Sequence, residues 1–392
     1  MEHAVIVDGV RTPFGRLGGE LADHQSFDLA GDAIRTLVAG IDVTQIDELL
    51  LGVGIIGAGV IAPARRALHC AGLPLEISSA AVDRACCSGM TAISLAADKV
   101  ALGERRVVVA GGMESMSQTP LLLRAPRTGA RVGNQEVEDI LLMRSPLADA
   151  PIAKYTGEVA LTFGVDRVVQ DEWALRSHRR YFDAADAGRL AEEIRVFPVG
   201  RSGAPVELDE PPRRDTSMEK LARLQPVYGS PTVTAGNAPG LNDGAAVTLV
   251  VAESYASAAS LEVQARVIDH VSMAGSATSA TFLPAHAILK LLRKNGLALD
   301  DLVAVEINEA FAAVPAVSLR VLADGDPARL AWLEERTNVN GGAVAIGHPV
   351  GASGARITYA AILEARRRGG GYAVAAICGG FGQTDAILLK VA

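Results

Sequence analysis

Three short segments of the sequence each place a reactive side chain among small residues and glycines. They are Cys86 in the segment RACCSG, His348 in GHP, and Cys378 in CGGFG. A thiol nucleophile needs a base that removes its proton and donors that hold the oxyanion formed by its attack. Two cysteines and one histidine beside backbone N–H groups therefore suit two successive steps of thioester chemistry.

Cys86 directly precedes the pair Cys87-Ser88, where a helix is predicted to begin. The positive end of a helix dipole lowers the pKa of a nearby thiol, so we expect a lowered pKa at Cys86. A free cysteine is more often a small buried core residue, and this is our interpretation of Cys87. For Cys86 both interpretations stay open on this segment alone.

His348 lies in the run 338–354, which is dense in glycine and proline. That density predicts a backbone held in special turns. A histidine on such a turn, just ahead of a helix, can act as the base of a neighbouring thiol. The alternative is a turn histidine bonded to backbone, and the number of glycines favours the functional interpretation.

Two further positions follow predicted strands. Cys378 ends the apolar run 372–377, and its thiol could act as both acid and base while Gly380 offers an N–H to an oxyanion. A buried strand-end cysteine is the alternative. Asn308 follows the run 302–305 and could orient a water, although the pattern taken alone favours a helix cap.

The composition indicates a Val/Ala-rich α/β protein, with 49% hydrophobic residues, 4% aromatic residues and 40 glycines among 392 residues. A net charge of −8 argues against a general nucleic-acid or anionic-membrane surface. No secretory signal or membrane-length apolar run is visible, and four cysteines are too few for a disulfide scaffold. We therefore expect a cytoplasmic protein with no membrane partner.

An internal repeat organises the chain. Residues 82–112 and 339–380 each read as a turn with a reactive residue, a Ser-Gly pair that starts a helix, and a strand that ends in glycines. The first helix has apolar Met90, Ile93 and Ala97 at helical spacing. We predict two similar halves related by pseudo-symmetry.

A charged, proline-bearing stretch separates the halves, and we interpret residues 119–243 as an inserted subdomain that covers the active site. Its helix is predicted from Asp166 to Ala187, with Gly188 as the stop, and is expected to be a solvated decoration. The basic stretch 124–131 is expected to be solvated, with a subunit contact or a ligand-facing loop as alternatives.

The segment from Gly52 to Gly57 matches the pattern G-x-G-x-x-G. A dinucleotide fold would open a helix at once and place an acidic residue about 20 positions further on. Here the following residues, up to Pro63, delay any helix. We predict a glycine-rich turn, which leaves a nicotinamide-dependent dehydrogenase as a distant alternative.

Taken together, these residues resemble the thiolase family of acyl-CoA:acetyl-CoA C-acyltransferases over essentially the whole chain. The resemblance depends on an ordered set of segments: 10–15, 86–89, 111–117, 234–238, 241–246, 308–311, 340–354 and 378–380. It implies an α/β fold of duplicated βαβαβαββ halves in a five-layer αβαβα sandwich with an inserted loop subdomain. The implied division is 1–118 plus about 244–264, then 119–243, then 265–392.

The resemblance also implies a reaction, the CoA-dependent cleavage of a 3-ketoacyl-CoA or the reverse Claisen condensation. Cys86, activated by His348, would form an acyl-enzyme, and Cys378 would exchange a proton with the carbon nucleophile or leaving group. The N–H groups of Cys86 and Gly380 would form one oxyanion hole, and His348 with a water held by Asn308 would form the other.

For binding, the resemblance implies CoA as a co-substrate, no tightly bound cofactor, no metal, and a homodimer or homotetramer. Arg213 would lie near the adenine of CoA. Ala235, Ala238 and Pro239 would lie near the pantetheine arm, and Ile152 would pack on the acyl group.

The sequence departs from the family in ways that concern the acyl pocket. Ile152 replaces a common methionine, and Leu283 replaces the glycine of a Gly-Pro pair. Pro239 replaces a common serine in the pantetheine segment, which would remove one hydrogen bond to CoA. We predict that Ile152, Phe282 and Leu283 shape the pocket. The substrate is then expected to differ from plain acetoacetyl-CoA.

Two alternatives to a competent thiolase are a condensing enzyme of the same superfamily and a non-catalytic binding protein. A condensing enzyme of ketoacyl-synthase type would have a histidine or asparagine where this chain has Cys378. A non-catalytic acyl-CoA- or lipid-binding protein would need none of Cys86, Asn308, His348 and Cys378. Their joint presence favours the enzyme.

Overall fold

The computed structural model describes residues 2–55, 60–123, 129 and 132–392, so that Arg124, Arg127 and Arg131 of the basic stretch lie outside the described residues. The strands are β1 (Ala4–Arg11), β2 (Gly15–Arg16), β3 (Glu48–Gly52), β4 (Ser78–Val82), β5 (Val107–Ser115), β6 (Leu122–Leu123), β7 (Val137–Glu138), β8 (Arg144–Ser145), β9 (Ala150–Pro151), β10 (Asn242–Ala252), β11 (Ala265–Ala274), β12 (Leu302–Ile307), β13 (Gly371–Gly379) and β14 (Gln383–Val391). The helices are α1 (Ser26–Leu37), α2 (Pro63–Cys70), α3 (Ser88–Ala101), α4 (Ile152–Thr162), α5 (Arg167–Asp186), α6 (Met218–Ala222), α7 (Glu253–Ala258), α8 (Leu283–Lys294), α9 (Ala313–Ala323), α10 (Pro327–Glu334), α11 (Ala343–Ile346) and α12 (Val350–Arg367).

The duplication predicted from the sequence is visible in the strand order. The first half has the order β4-β3-β5-β10-β1, and the second half has β12-β13-β14-β11. In the first half, β4 is the edge strand beside β3. At the equivalent place in the second half, beside β12, the described residues form only one parallel bridge, between Thr337 and Val305. The halves join through a short antiparallel pairing of β1 with β11.

Helices α3 and α12 lie between the halves, and α12 contacts strands of both. Helices α1 and α2 cover the outer face of the first half, and α8 and α9 cover that of the second. This is the five-layer arrangement that the sequence predicted. Glycines allow the central helices to touch: a Cβ at Gly89 would lie 2.6 Å from the carbonyl oxygen of Gly351.

Strand β5 extends further than predicted. The prediction ended it at Gly111-Gly112, but it continues to Ser115 in register with β10. A Cβ at Gly112 would lie 1.9 Å from the carbonyl oxygen of Gly351, so only glycine lets this strand pass under the start of α12. The glycines serve close packing within the strand and do not end it.

Helix α5 has nearly the predicted bounds, with Asp166 as its N-cap and Gly188 in the left-handed conformation after its end. The expectation that it is a solvated decoration is wrong. Trp173 is buried, and its indole Nε1 donates to Glu309 Oε1 at 2.8 Å. One face of α5 is therefore buried, with Trp173 and Ser177 bonded to a carboxylate of the second half.

The glycine motif after β3 also serves packing. A Cβ at Gly52 would lie 2.3 Å from the backbone of Ser88, and one at Gly54 would lie 2.3 Å from Val350. The next helix of the described residues begins at Pro63, as predicted, while Gly57 lies outside them. Gly52 and Gly54 thus allow the first residues of α3 and α12 to pack closely against this turn.

The boundaries of the inserted subdomain, at residues 118 and 243, stay a prediction.

Among the described residues, no helix has both the length and the apolar character that a membrane crossing requires.

Candidate active site

The reactive residues of the two repeats meet between the halves. Cys86 lies two residues before α3, His348 lies two residues before α12, and Cys86 Sγ is 3.2 Å from His348 Nε2. Cys86 is half-buried, since it opens on a cavity, while His348 and Cys378 are buried. The symmetry of the repeat therefore brings a thiol and an imidazole into hydrogen-bonding contact.

The contacts of His348 suit the tautomer with the hydrogen on Nδ1. Ser353 Oγ donates to the carbonyl oxygen of Pro349 at 2.9 Å, and His348 Nδ1 lies 2.6 Å from the same hydroxyl. With the hydroxyl proton on that carbonyl, Nδ1 donates its own hydrogen to Ser353 Oγ. The lone pair of Nε2 then faces the Cys86 thiol, as a general base requires.

The backbone of this loop is held as firmly as the ring. The N–H of His348 donates to Asn242 Oδ1 at 2.8 Å, and Asn242 Nδ2 donates to the carbonyl oxygen of Gly15 at 2.9 Å. Gly347 has φ of 108°, a conformation that L side chains rarely adopt, and a Cβ there would lie 2.8 Å from Asn242. The predicted special turn is confirmed.

The expectation of a lowered Cys86 pKa is wrong. Burial raises the pKa of the Cys86 thiol to about 12, and the N–H groups of Gly380 and Cys86 only partly oppose the rise. The N–H groups of Cys87 and Ser88 at the helix start bond to the carbonyls of Arg84 and Ala85. These donors are therefore not available to the sulfur.

Burial acts on the histidine in the opposite direction. Burial, with a smaller contribution from the charge of Arg356, lowers the pKa of His348 to about 4. At neutral pH the resting pair is thus a neutral thiol and a neutral imidazole. Proton transfer is then expected to accompany attack on a substrate.

The lowered pKa of His348 predicts that the acid limb of the pH–activity profile lies well below the pH expected for an ordinary histidine. His348 accepts a proton only while neutral, so kcat/KM should stay flat through pH 6.5, the ordinary histidine pKa, and fall as pH drops through about 4. The measurement is kcat/KM against pH, with native fluorescence confirming that the protein stays folded. A limb centred near pH 6.5 would contradict the lowered pKa.

The second thiol and the glycine turn complete the site. The N–H of Gly380 faces the sulfur of Cys86, and burial together with the nearby Cys86 thiol raises the pKa of Cys378. A Cβ at Gly379 would lie 2.7 Å from both Arg84 O and Cys87 Sγ. The two cysteine-bearing turns are therefore packed directly against each other. Cys87 itself is fully buried, as predicted.

Asn308 faces the same histidine. Its Nδ2 lies 3.5 Å from His348 Nε2, and its backbone N–H donates to the carbonyl oxygen of Ala376. The helix-cap interpretation is wrong, because the next helix begins at Ala313 with Ala312 as its cap. Asn308 Oδ1 is buried without a hydrogen-bond partner among the described residues, so it can accept one from a ligand.

A cavity of about 410 Å³ opens on the reactive groups. Of the residues that sequence analysis assigned to the site, all but Asn308 line it: Cys86, His348, Cys378 and Gly380, with Arg213, Ala235, Ala238, Pro239 and Ile152. Phe282 and Leu283 do not line it, which corrects their predicted role. Phe282 instead packs its ring on those of Phe163 and His286, while Ala280 and Thr281 border the cavity.

A second cavity of about 360 Å³ shares Arg213, Ala235 and Ala238 with the first. Its lining is more cationic, because among the described residues it adds Arg16 and Lys220 against one added carboxylate, Asp215, which pairs with Lys220 at 2.5 Å. An apolar chamber at the thiols and an adjoining basic chamber suit a ligand with an uncharged arm and an anionic end.

Two buried carboxylates escaped the sequence analysis. Glu309 accepts from Trp173, Ser177, Asn338 and the N–H of Val344, which ties α5 to the histidine loop. Glu114 accepts from the N–H groups of Gly54 and Gly351, and burial raises its pKa to about 7. Glu114 and Glu309 both lie in segments on which the family resemblance depends. Their hydrogen-bond partners are distant in sequence, so the sequence alone did not indicate their roles.

Comparison with known proteins assigns the family. The description "Thiolase, N-terminal domain" matches residues 4–254, and "Thiolase, C-terminal domain" matches residues 261–391. A probable acetyl-CoA acetyltransferase of Mycolicibacterium smegmatis is 40% identical, covering 98% of this chain and 100% of that protein. A beta-ketoadipyl-CoA thiolase of Pseudomonas aeruginosa is 39% identical, covering 98% of each chain.

A solved structure agrees. Human mitochondrial 3-ketoacyl-CoA thiolase in complex with CoA has a TM-score of 0.93 and 33% identity, covering 100% of this chain and 98% of that one. Fold and relatives together define an acyltransferase. The chain belongs to the thiolase family.

Proposed function

We propose that this acyltransferase cleaves a 3-ketoacyl-CoA with CoA into acetyl-CoA and a shortened acyl-CoA, or runs the reverse condensation, through an acyl-enzyme on Cys86. The observation that carries the proposal is the 3.2 Å contact of Cys86 Sγ with His348 Nε2 in a cavity that also contains Cys378. The pair supplies nucleophile and base, and the second thiol supplies an acid.

In the cleavage direction, Cys86 Sγ attacks the C3 carbonyl carbon while its proton passes to His348 Nε2. The N–H groups of Cys86 and Gly380, which face the sulfur, would hold the resulting oxyanion. The C2–C3 bond then breaks, and its electron pair forms the enolate of acetyl-CoA. The enolate oxygen would be held by His348 and by a water on Asn308, whose Oδ1 is unpaired.

Cys378 closes the proton balance. It gives its proton to C2 of the enolate and becomes a thiolate, and acetyl-CoA leaves. The thiolate then removes the proton of an incoming CoA thiol, which attacks the acyl-Cys86 thioester. The bond to Cys86 breaks, and the sulfur recovers its proton from His348.

CoA would enter through the basic chamber, with its anionic end near Arg213 and Lys220 and its pantetheine arm along Ala235, Ala238 and Pro239. The shared lining of the two cavities supports this path. The related human mitochondrial 3-ketoacyl-CoA thiolase was solved in complex with CoA. No tightly bound cofactor is proposed.

The substrate would extend beyond acetoacetyl-CoA. Ile152, Met143, Phe311 and Val314 give the cavity apolar walls, and this supports an apolar acyl chain longer than acetyl. The name of one relative raises the alternative of a carboxylated substrate. A carboxylate against these apolar walls would lose its hydration, and Arg213, the one arginine or lysine among the described residues of the lining, is assigned to the anionic end of CoA.

Thiolysis of a 3-ketoacyl-CoA series by the purified protein tests this function. We expect cleavage with a larger kcat/KM for one of the longer straight-chain members than for acetoacetyl-CoA or beta-ketoadipyl-CoA. Each buried methylene adds about 0.8 kcal/mol, or roughly fourfold in kcat/KM. Cleavage of acetoacetyl-CoA alone would overturn the substrate proposal, and cleavage of none would overturn the function.

We also propose a homodimer or homotetramer in the cytoplasm. Support for assembly comes from β4, which ends the large sheet and leaves one of its edges without a partner strand among the described residues. Support for a reducing compartment comes from the four cysteines, all within the described part of the chain, none of which forms a disulfide. Two of them, Cys86 and Cys378, must stay reduced for the proposed reaction.

A further inference from the structure

The two cysteine-bearing turns come from different halves of the chain, and each contains a strained residue. Ala85, next to Cys86, has φ of 49°, and Phe381, next to Gly380, has φ of 59°. Residues other than glycine keep such conformations only where the surrounding structure holds them. Something must therefore fix each turn and set one against the other.

The side chain of Arg84 reaches from the first turn into the second half. Its Nη1 donates to Asp385 in a short ion pair, to Ser272 Oγ at 3.0 Å and to Thr91 Oγ1 at 3.2 Å. Its Nε donates to Gln383 Oε1 at 3.3 Å. One guanidinium thus joins helix α3, strand β11 and strand β14.

The partners on β14 lie directly behind the second turn. Asp385 and Gln383 pair with the two residues that flank Cys378 on β13. The Asp385 side chain is only 3% exposed, so its charge depends on Arg84 and on the hydroxyl of Thr91, which donates at 2.5 Å. A displacement of Arg84 would therefore shift β14 and, through its pairing with β13, the position of Cys378.

We propose that Arg84 is a positioning residue, whose ion pair with Asp385 sets the Cys86 turn against the Cys378–Gly380 turn. This rests on the proposed function, because it assigns Arg84 to the geometry of that reaction. Arg84 does not line either cavity. Its loss should therefore change the reacting distances and leave CoA binding intact.

The test compares Arg84→Gln, Asp385→Asn and the double variant in thiolysis of the best 3-ketoacyl-CoA. We expect kcat to fall by roughly 10- to 100-fold, as for a misplacement of about 1 Å, with the KM for CoA unchanged. The double variant should lose no more than either single variant, because both break one interaction. Arg84→Lys, which keeps the charge, should recover part of kcat.

Arg266→Gln is the matched control, since Arg266 also forms an arginine–carboxylate pair, with Glu253, away from the cavities. It should keep the wild-type kcat. An unchanged kcat in Arg84→Gln, or a rise in the KM for CoA without a fall in kcat, would overturn the proposal. So would fully additive losses in the double variant.

Alkylation of Cys86 by iodoacetamide separates this proposal from the proposed function. The displaced turn would remove the Gly380 N–H from the sulfur, so Arg84→Gln should react more slowly than wild type even if no ketoacyl-CoA is cleaved. An equal alkylation rate in a protein that cleaves no ketoacyl-CoA would reject both proposals together.

Discussion

Replacement of Cys86 by alanine is expected to lower thiolysis by roughly 10⁴-fold or more, as for loss of a covalent nucleophile that acts as a unit with its base. The imidazole of His348 would remain in place, because neither the contact of its ring with Ser353 nor the bond of its backbone N–H to Asn242 involves Cys86. What is lost is the atom that carries the acyl group between the two half-reactions. Steady-state thiolysis and intact-protein mass after exposure to acyl-CoA are the two measurements.

Cys70→Ala provides the control, because Cys70 is a partly exposed free cysteine at the end of α2 and lines neither cavity. It should keep wild-type activity and should still gain one acyl group. If Cys86→Ala retained substantial thiolysis or still became acylated, the nucleophile would have to be sought elsewhere. Cys378 would then be the first residue to examine.

The sequence was sufficient to predict the reactive set because each member sits in a local pattern. Cys86 and His348 stand two residues before the first residues of α3 and α12, each in a run of small residues with at least one glycine. The repeated order of turn, helix and strand then predicts that equivalent positions of two similar halves meet. The short contact between Cys86 and His348 is a consequence of that duplication.

Properties that depend on distant residues could not be predicted in this way. The helix-dipole argument gave the wrong direction for the Cys86 pKa, because burial between the two halves of the chain raises it by more than the N–H groups of Gly380 and Cys86 lower it. The burial of α5 depends on Glu309, which lies over 130 residues away. No local pattern reports either contact.

The residues that line the acyl pocket could not be predicted from the sequence either. Phe282 and Leu283 were selected because they depart from the family, but a departure shows only that something changed. In the structure Leu283 begins α8, and its side chain is buried in that layer. The neighbouring Thr281 faces the cavity with a buried hydroxyl that has no partner among the described residues.

Replacement of Cys378 by serine should separate the two half-reactions. A hydroxyl is a far weaker acid and base than a thiol, so thiolysis should fall by roughly 10²–10⁴-fold. Acylation of Cys86 by acetyl-CoA should persist, because CoA leaves as a thiolate, and an ordinary thiol has a pKa of about 8.5. The carbon leaving group of a 3-ketoacyl-CoA is far more basic and needs the proton that Cys378 provides.

Intact-protein mass spectrometry can follow both steps in one sample. Cys378→Ser mixed with acetyl-CoA should accumulate a protein bearing one acetyl group, and the double variant Cys86→Ala/Cys378→Ser should bear none. Thiolysis at the wild-type rate would show that Cys378 transfers no proton. Failure to acetylate would show instead that Cys378 assists the first step, and the proton path through His348 and Cys86 would then need a second participant.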